Sequence, residues 1–349
     1  MQNPDVLFDE ETLKRGAEIV RETNKLVAQL IDINAAARTT CTKPSGNASV
    51  ILGTESGIHG GHSPRYFRNV QMTNIDDVAQ LITEVNPKMV EVSAWNTSGT
   101  DLVVSFPIVS GKGTRYKADL MGVKQLEAVK FAQQHWVENG TNVELCTDPK
   151  LRHNISNTIS VDNWDEVEEY IYQNREWFAG ISLLAAAGDK AYVQAPFTEV
   201  LTQEDIMQKY GAASMFASGL IVDGNHAFNN NLWLACDSAM SYGARLTPTL
   251  HVAVDFNDAA ARLALDAVED LLQRDWIRRF HKFAINYFNG DLLQTSFCLK
   301  DVYNLHKWEG IVRTMKDIDF SSELSEQKFV DVDTMGSQAC SGNQCEVSF

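Results

Sequence analysis

Between residues 100 and 187, apolar runs of strand length alternate with segments of helical period. TDLVVSFPIV (100–109) precedes MGVKQLEAVKFAQQHWVENG (121–140); NISNTISV (154–161), WDEVEEYIYQNREWF (164–178) and GISLLAAA (180–187) follow. Parallel neighbours need a crossover long enough to hold a helix, and such crossovers are right-handed. The alternation therefore predicts an α/β architecture.

Outside this stretch the pattern is different. Residues 10–36 carry Leu13, Ala17, Val20, Val27, Leu30 and Asn34 at spacings of three, four or seven, which predicts an amphipathic helix with Asp9 as its cap. Residues 200–255 are rich in Gly, Asn, Ser and Ala and yield no assignment. Helical period returns over 257–289, closed by Gly290, in a run long enough for one helix or two. Residues 331–349, DVDTMGSQACSGNQCEVSF, lack apolar period and read as a mobile tail.

A chain of 349 residues with 44% apolar and 22% charged side chains has the composition of a globular protein of about two domains. Its net charge of -16, with no basic arm, argues against a nucleic-acid partner. No run has the apolar length of a membrane span, and the start MQNPDVLFDEETLKRG lacks the basic-then-apolar form of a signal peptide. A cytoplasmic protein without a membrane partner is expected, and its six cysteines are then not a structural disulfide framework. Cys41, Cys146, Cys236 and Cys298 lie in or near patterned segments, where small apolar filling is the default.

Three short constellations carry candidate chemistry. In Lys43-Pro44-Ser45-Gly46-Asn47, a strand ending near Thr42 and a helix starting near Asn47 would leave backbone N–H groups for an anion, with Lys43 adding charge and Gly46 permitting close approach. A plain capped helix start is the simpler local reading of the same residues. His59-Gly60-Gly61-His62 suggests an esterase oxyanion loop or a metal site, but the chain has no G-x-S-x-G, H-E-x-x-H or paired C-x-x-C. A glycine-rich turn with solvated histidines is the simpler reading. Cys340 and Cys345, separated by four small or polar residues, form either a redox dithiol, incidental cysteines of a disordered end, or half of a metal site.

Taken together and in order, TTCTKPSGNASVILG, SGIHGGHSPRYFRNV, DLVVSFPI, QLEAVKFAQQHW, NREWFAGISLL, VQAPF, FCLKDVYNLHKWEGI and the terminal C-x-x-x-x-C pair resemble one family. The chain is similar to the C-terminal part of adenosylcobalamin-dependent (class II) ribonucleotide reductase, nearest the monomeric ribonucleoside-triphosphate reductase type. The resemblance implies the C-terminal portion of a ten-stranded α/β barrel over residues 1–198, a mostly helical extension over 199–330 and a flexible dithiol tail over 331–349. It implies that Lys43, Pro44, Ser45, Gly46, Asn47 and Ala48 grip the phosphates of a ribonucleotide substrate, and that Arg65 and Arg68 return toward the barrel mouth. Cys340 and Cys345 would re-reduce the active site and then exchange with a thioredoxin-like reductant.

Two departures accompany the resemblance. Asn47 stands where the family has Thr, a change that keeps a capping side chain. Residues 1–38 contain no cysteine, whereas the family's thiyl-radical cysteine, in a C-x-E loop, precedes the phosphate turn. A separate N-terminal reductase chain carrying that cysteine is the expected partner; a truncated sequence would look alike. The segment GISLLAAAG lacks the tandem tyrosines that relay a radical in class I enzymes, which favours adenosylcobalamin as cofactor. The alternative is a non-catalytic nucleotide-phosphate binding or regulatory module, and a small hydrolase using His59-Gly60-Gly61 stands behind it.

Overall fold

The computed structural model describes residues 1–96, 98–186, 192–246 and 271–324. By packing, the chain divides into two units, one of Met1–Arg68 with Pro107–Leu305, the other of Asn69–Phe106 with the chain from His306 onward. The boundary expected at residue 198 falls inside the first unit. The expected tail at 331–349 lies outside the described residues.

In the first unit, α1 (Pro4–Leu7) leads into α2 (Glu10–Leu30), capped by the Asp9 carboxylate, which accepts from Thr12 N–H at 2.7 Å. The helix stops six residues short of the expected Ala36. Asp32 takes a left-handed conformation, φ 54°, and Asn24 accepts from the Ala36 N–H at 2.9 Å, turning the chain back. Of the expected stripe only Ala17 is buried. Ala17 and Ala28 are buried, while Leu30 is 76% exposed, because the helix docks through small residues: a Cβ at Gly16 would lie 3.3 Å from the Trp136 ring. Close approach of a helix to a large aromatic ring needs side chains that stay out of the way.

The alternation read from sequence appears as β4 (Ile159–Val161), α6 (Trp164–Gln173) and β5 (Leu183–Ala185). β4 and β5 pair in parallel, Ile159 opposite Leu183 and Val161 opposite Ala185. Ile159, Val161 and Val167 pack on Leu126 of α5 (Val123–Ala132), all at 2% exposure or less. The predicted helix over 121–140 changes character beyond Ala132, where a π-helical turn, Gln133–Val137, follows α5. A short α3 (Gly46–Ile51) and strands β1 (Arg65–Thr73) and β6 (Phe197–Glu199) complete this half, β1 and β6 pairing antiparallel with Arg68 opposite Phe197.

The rest of the first unit is helical: α7 (Gln203–Tyr210), α8 (Ala212–Ala227), α9 (Leu232–Leu246), α10 (Leu271–Phe288) and α11 (Leu292–Thr314), the last continuing beyond the unit. Three of these fall in the stretch that yielded no assignment. In α8 the buried Ala213, Ala217, Leu220 and Ile221 share the helix with exposed Met215, Phe216 and Val222, so apolar residues on both sides erase the period. Their core centres on Trp276, Phe280, Ile277 and Leu299, each at most 1% exposed. The stop at Gly290 is as expected, with φ 84° and an N–H donated to Ala284 O at 3.0 Å.

His281 is buried in this cluster, 3.0 Å from the Ala239 carbonyl and edge-on to Tyr242. Burial holds its imidazole below the ordinary histidine range, opposed in part by the bond to Ala239. A histidine whose pKa is lower folded than unfolded binds fewer protons when folded, so its contribution to stability is complete above about 6.5 and is lost as the pH falls through that value. Urea midpoints are expected to drop between about pH 7.5 and 5.5, and to drop less in His281→Gln; equal drops would remove His281 as a cause.

The second unit holds α4 (Asp77–Val85), β2 (Val90–Val92) and part of β3 (Asp101–Val109), with β2 and β3 antiparallel. A last turn of helix, α12 (Phe320–Glu323), lies beyond α11. Asn86 bonds the Lys316 backbone from both ends of its amide, at 2.8 and 2.9 Å. Lys307 Nζ donates to Glu91 Oε1 at 2.6 Å and to Ser105 Oγ at 2.9 Å. The α/β character expected from sequence holds. The sheets are small and open, with strands as short as three residues, and among the described residues no ten-stranded barrel closes.

Candidate functional site

Thr42 bridges Ile155 in parallel, and its carbonyl accepts from Ser156 N–H at 2.9 Å. Lys43 Nζ then donates to Asn154 Oδ1 at 2.6 Å. The helix after the turn begins at Gly46, one residue earlier than expected, so Ser45 occupies the cap position and Asn47 lies inside the first turn. Asn47 therefore does not cap this helix. Ser45 makes no side-chain capping bond, and the first N–H groups of any helix have no partner within it.

Lys43, Pro44, Gly46, Asn47 and Ala48 are exposed, and Ser45 is half-buried. A Cβ built on Gly46 would meet nothing within 4 Å, so no crowding within the described structure demands a glycine there. What the glycine leaves is open backbone. Gly57 is different: φ is +58° and an added Cβ would fall 2.8 Å from the Lys43 carbonyl oxygen. Nothing in the local sequence around Gly57 announces this buttress.

The His59–His62 segment is packed rather than solvated. Gly61 forms a bridge to Tyr116, exchanging N–H and C=O bonds with Arg115 and Lys117 at 2.9 Å each, and added Cβ atoms at Gly60 and Gly61 would come within 2.8 Å of neighbours. His59 is half-buried against Ser56 O, and burial lowers its pKa. His62 stacks on Phe197 with ring centroids 5.5 Å apart. The expectation of solvated histidines is thus corrected: the glycines allow a close crossing, and both rings are half-buried against neighbours. Arg68 lies over the opposite strand's Phe197 at 5.5 Å, and Lys117 approaches the same ring at 5.7 Å. Arg65 opens β1, its carbonyl accepting from Val200 N–H and Ser63 Oγ.

Cys236 and Cys298 are buried free thiols, both pushed up to about 12 by burial, and so fill space as expected. Cys41 is exposed and does not. It sits two residues before Lys43, on a segment whose backbone is held from outside. Cys340 and Cys345 lie outside the described residues. Among the described residues, no group of three or more His, Cys, Asp and Glu side chains is placed to hold a metal, and no helix is long and apolar enough to cross a membrane.

Compared with known proteins, the chain is 24% identical over 192 residues to a probable adenosylcobalamin-dependent ribonucleoside-triphosphate reductase of Dictyostelium discoideum, a match covering 53% of this chain and 23% of that protein. It is 25% identical over 198 residues to the adenosylcobalamin-dependent ribonucleoside-triphosphate reductase of Euglena gracilis, covering 55% and 24%. A crystal structure of a B12-dependent (class II) ribonucleotide reductase superposes with a TM-score of 0.44 at 19% identity, over 55% of this chain and 26% of that one. No family model matches. Over about half its length the chain is similar to ribonucleotide reductases. Those relatives are of one kind, the adenosylcobalamin-dependent ribonucleoside-triphosphate reductases, and the chain spans about a quarter of their length.

Proposed function

We propose that this chain is the C-terminal part of an adenosylcobalamin-dependent ribonucleotide reductase, and that its Lys43–Ala48 turn holds the phosphates of a ribonucleoside triphosphate. The observation that carries the reading is the turn itself: exposed backbone at Gly46, an uncapped first turn at Ser45 and the Lys43 ammonium beside them. Lys43 already donates to neutral Asn154, an arrangement that fixes its position without neutralising its charge. The likeness to reductases over half the chain supplies the substrate class.

In this reading the chain completes a barrel together with polypeptide bearing the radical cysteine in a C-x-E loop. Adenosylcobalamin supplies the radical when bound. The cavity near Met121, Lys124, Asp162 and Glu166 encloses about 240 Å³, too small for a corrin, and we assign no described residue to that cofactor. The chain's own tasks are to hold the polyphosphate and to restore the active-site thiols. For the second task the Cys340 and Cys345 thiols attack the active-site disulfide. Two electrons and two protons pass to it, the pair closes into its own disulfide, and a thioredoxin-like dithiol reopens that bond.

The test is to combine the chain with a partner carrying the C-x-E loop, add adenosylcobalamin and a ribonucleoside triphosphate, and measure deoxynucleotide. Absence of product despite tight phosphate binding would convert the reading to a non-catalytic binding module. Lys43→Ala is expected to weaken triphosphate binding about tenfold or more, measured by titration calorimetry, through loss of one charge-assisted contact. Cys340→Ser with Cys345→Ser is expected to abolish multiple turnover with a thioredoxin-type donor while sparing a single turnover. Equal loss of both would remove the shuttle role.

A further inference from the structure

The turn at Lys43–Ala48 is exposed and is followed by a helix of six residues, too short to fix its own orientation. Its geometry must be imposed through the chain that enters it. Residues 39–41 are held by the 136–140 segment, and residues 42 and 43 by the 154–156 segment. Thr39 donates through both its N–H and Oγ1 to the Gly140 carbonyl, at 2.9 Å each. Thr40 Oγ1 donates to the Trp136 carbonyl at 2.8 Å, and the Trp136 indole N–H returns a bond to the Cys41 carbonyl at 3.1 Å. Thr42 and Lys43 are then taken over by Ser156 and Asn154.

Trp136 lies within the π-helical turn Gln133–Val137. Glu138 N–H reaches the Gln133 carbonyl at 3.0 Å, five residues back, which inserts one residue into the helix and swings the following side chains by about 100° from α-helical register. Such single-turn insertions in α-helices are rare and frequent at functional sites. On its other side the Trp136 ring meets α2 at Gly16. The indole thus lies between a helix and the extended segment entering the turn, with its single donor spent on the backbone two residues before Lys43.

We infer that Trp136 is a positioning residue for the phosphate-binding turn, acting through the Cys41 carbonyl; the inference rests on the phosphate reading given above. It touches no substrate. Its removal lets residues 41–48 sample orientations in which Lys43 and the Gly46 backbone no longer point at the same ligand atom.

The experiment is Trp136→Phe in the full chain, which keeps an aromatic ring against Gly16 and deletes the donor. Titration with inorganic tripolyphosphate is expected to show binding weakened about three- to tenfold. Amide exchange over 43–51 should quicken while that of α7 to α11 stays as in the wild type, with nearly unchanged thermal midpoint. A change spread evenly over the chain, or wild-type affinity with wild-type exchange at 43–51, overturns the inference. Wild-type protein that ignores tripolyphosphate overturns the phosphate reading instead, and the exchange comparison still judges Trp136. Should W136F not fold, Thr40→Val removes the neighbouring bond to the Trp136 carbonyl with little change of shape. It is expected to give the same selective quickening, and its absence there would equally overturn the proposal.

Discussion

Gly140→Ala is expected to abolish measurable tripolyphosphate binding and to loosen the segment that enters the turn. A Cβ at this position would lie 1.9 Å from Thr40 Oγ1, 2.5 Å from its Cγ2 and 2.7 Å from its Cβ. Thr40 is 3% exposed and its hydroxyl is committed to the Trp136 carbonyl, so its side chain has nowhere to turn. Relief requires the strand to move away from Gly140, and that motion breaks both Thr39 bonds to the Gly140 carbonyl. Overpacking costs about 1–3 kcal/mol and each lost hydrogen bond about 1 kcal/mol. A penalty of about 3 kcal/mol falling on the turn would weaken binding more than a hundredfold. Calorimetry with tripolyphosphate and amide exchange over 39–51 check both expectations. Adding Thr40→Ala, which deletes the two closest atoms, should recover part of the loss. If Gly140→Ala binds as the wild type does, the entering strand does not control the turn.

That contact joins residues 100 positions apart, and it shows where sequence reading reaches its limit. The strand–helix–strand unit of β4, α6 and β5 was legible because Ile159, Val161 and Val167 bury their side chains in a local, periodic pattern. Asp9 and Gly290 were legible because helix ends are satisfied by the nearest side chain or by a left-handed residue. The turn at Lys43–Ala48 was legible as a turn, though not its cap at Ser45 or its support. Gly57 against Lys43 O, Trp136 against Cys41 O and Gly140 against Thr40 are all long-range, and a lone glycine or tryptophan announces none of them. The half-burial of His59 and His62 was missed for a related reason. Two glycines read as a turn with solvated histidines, whereas here they admit the crossing of Tyr116 and Lys117. Of the face expected for α2 only Ala17 proved buried; the other close contacts are made by Gly16 and Ala28, residues that carry almost no hydrophobic signal.

Trp276→Ala is expected to cost about 3–5 kcal/mol, the range for removing a large aromatic ring from a packed core. The ring is 1% exposed and lies edge-on to Phe228 at 5.6 Å and tilted to Phe280 at 5.4 Å. Its indole N–H donates to the Leu220 carbonyl at 2.7 Å. Gly224 is the other half of the arrangement: a Cβ there would stand 2.7 Å from the ring, so α8 carries no side chain where the indole passes. Neighbours cannot close the resulting space without shifting α8 against α10, and a cavity term adds to the lost burial. Trp276→Phe should fall between, keeping a ring but losing the bond and part of the volume. Urea unfolding followed by circular dichroism measures the loss, and a loss below about 1 kcal/mol would mean that the bundle is not organised around this ring. The helical cluster and the Lys43–Ala48 turn belong to the same unit. If that unit unfolds as one, amide exchange through global opening should rise by the same factor in α10 and in the 39–43 strand, even though Trp276 touches neither Lys43 nor its supports. A rise confined to α8 and α10 would separate the two, and would make the turn's stability the business of Trp136 and Gly140 alone.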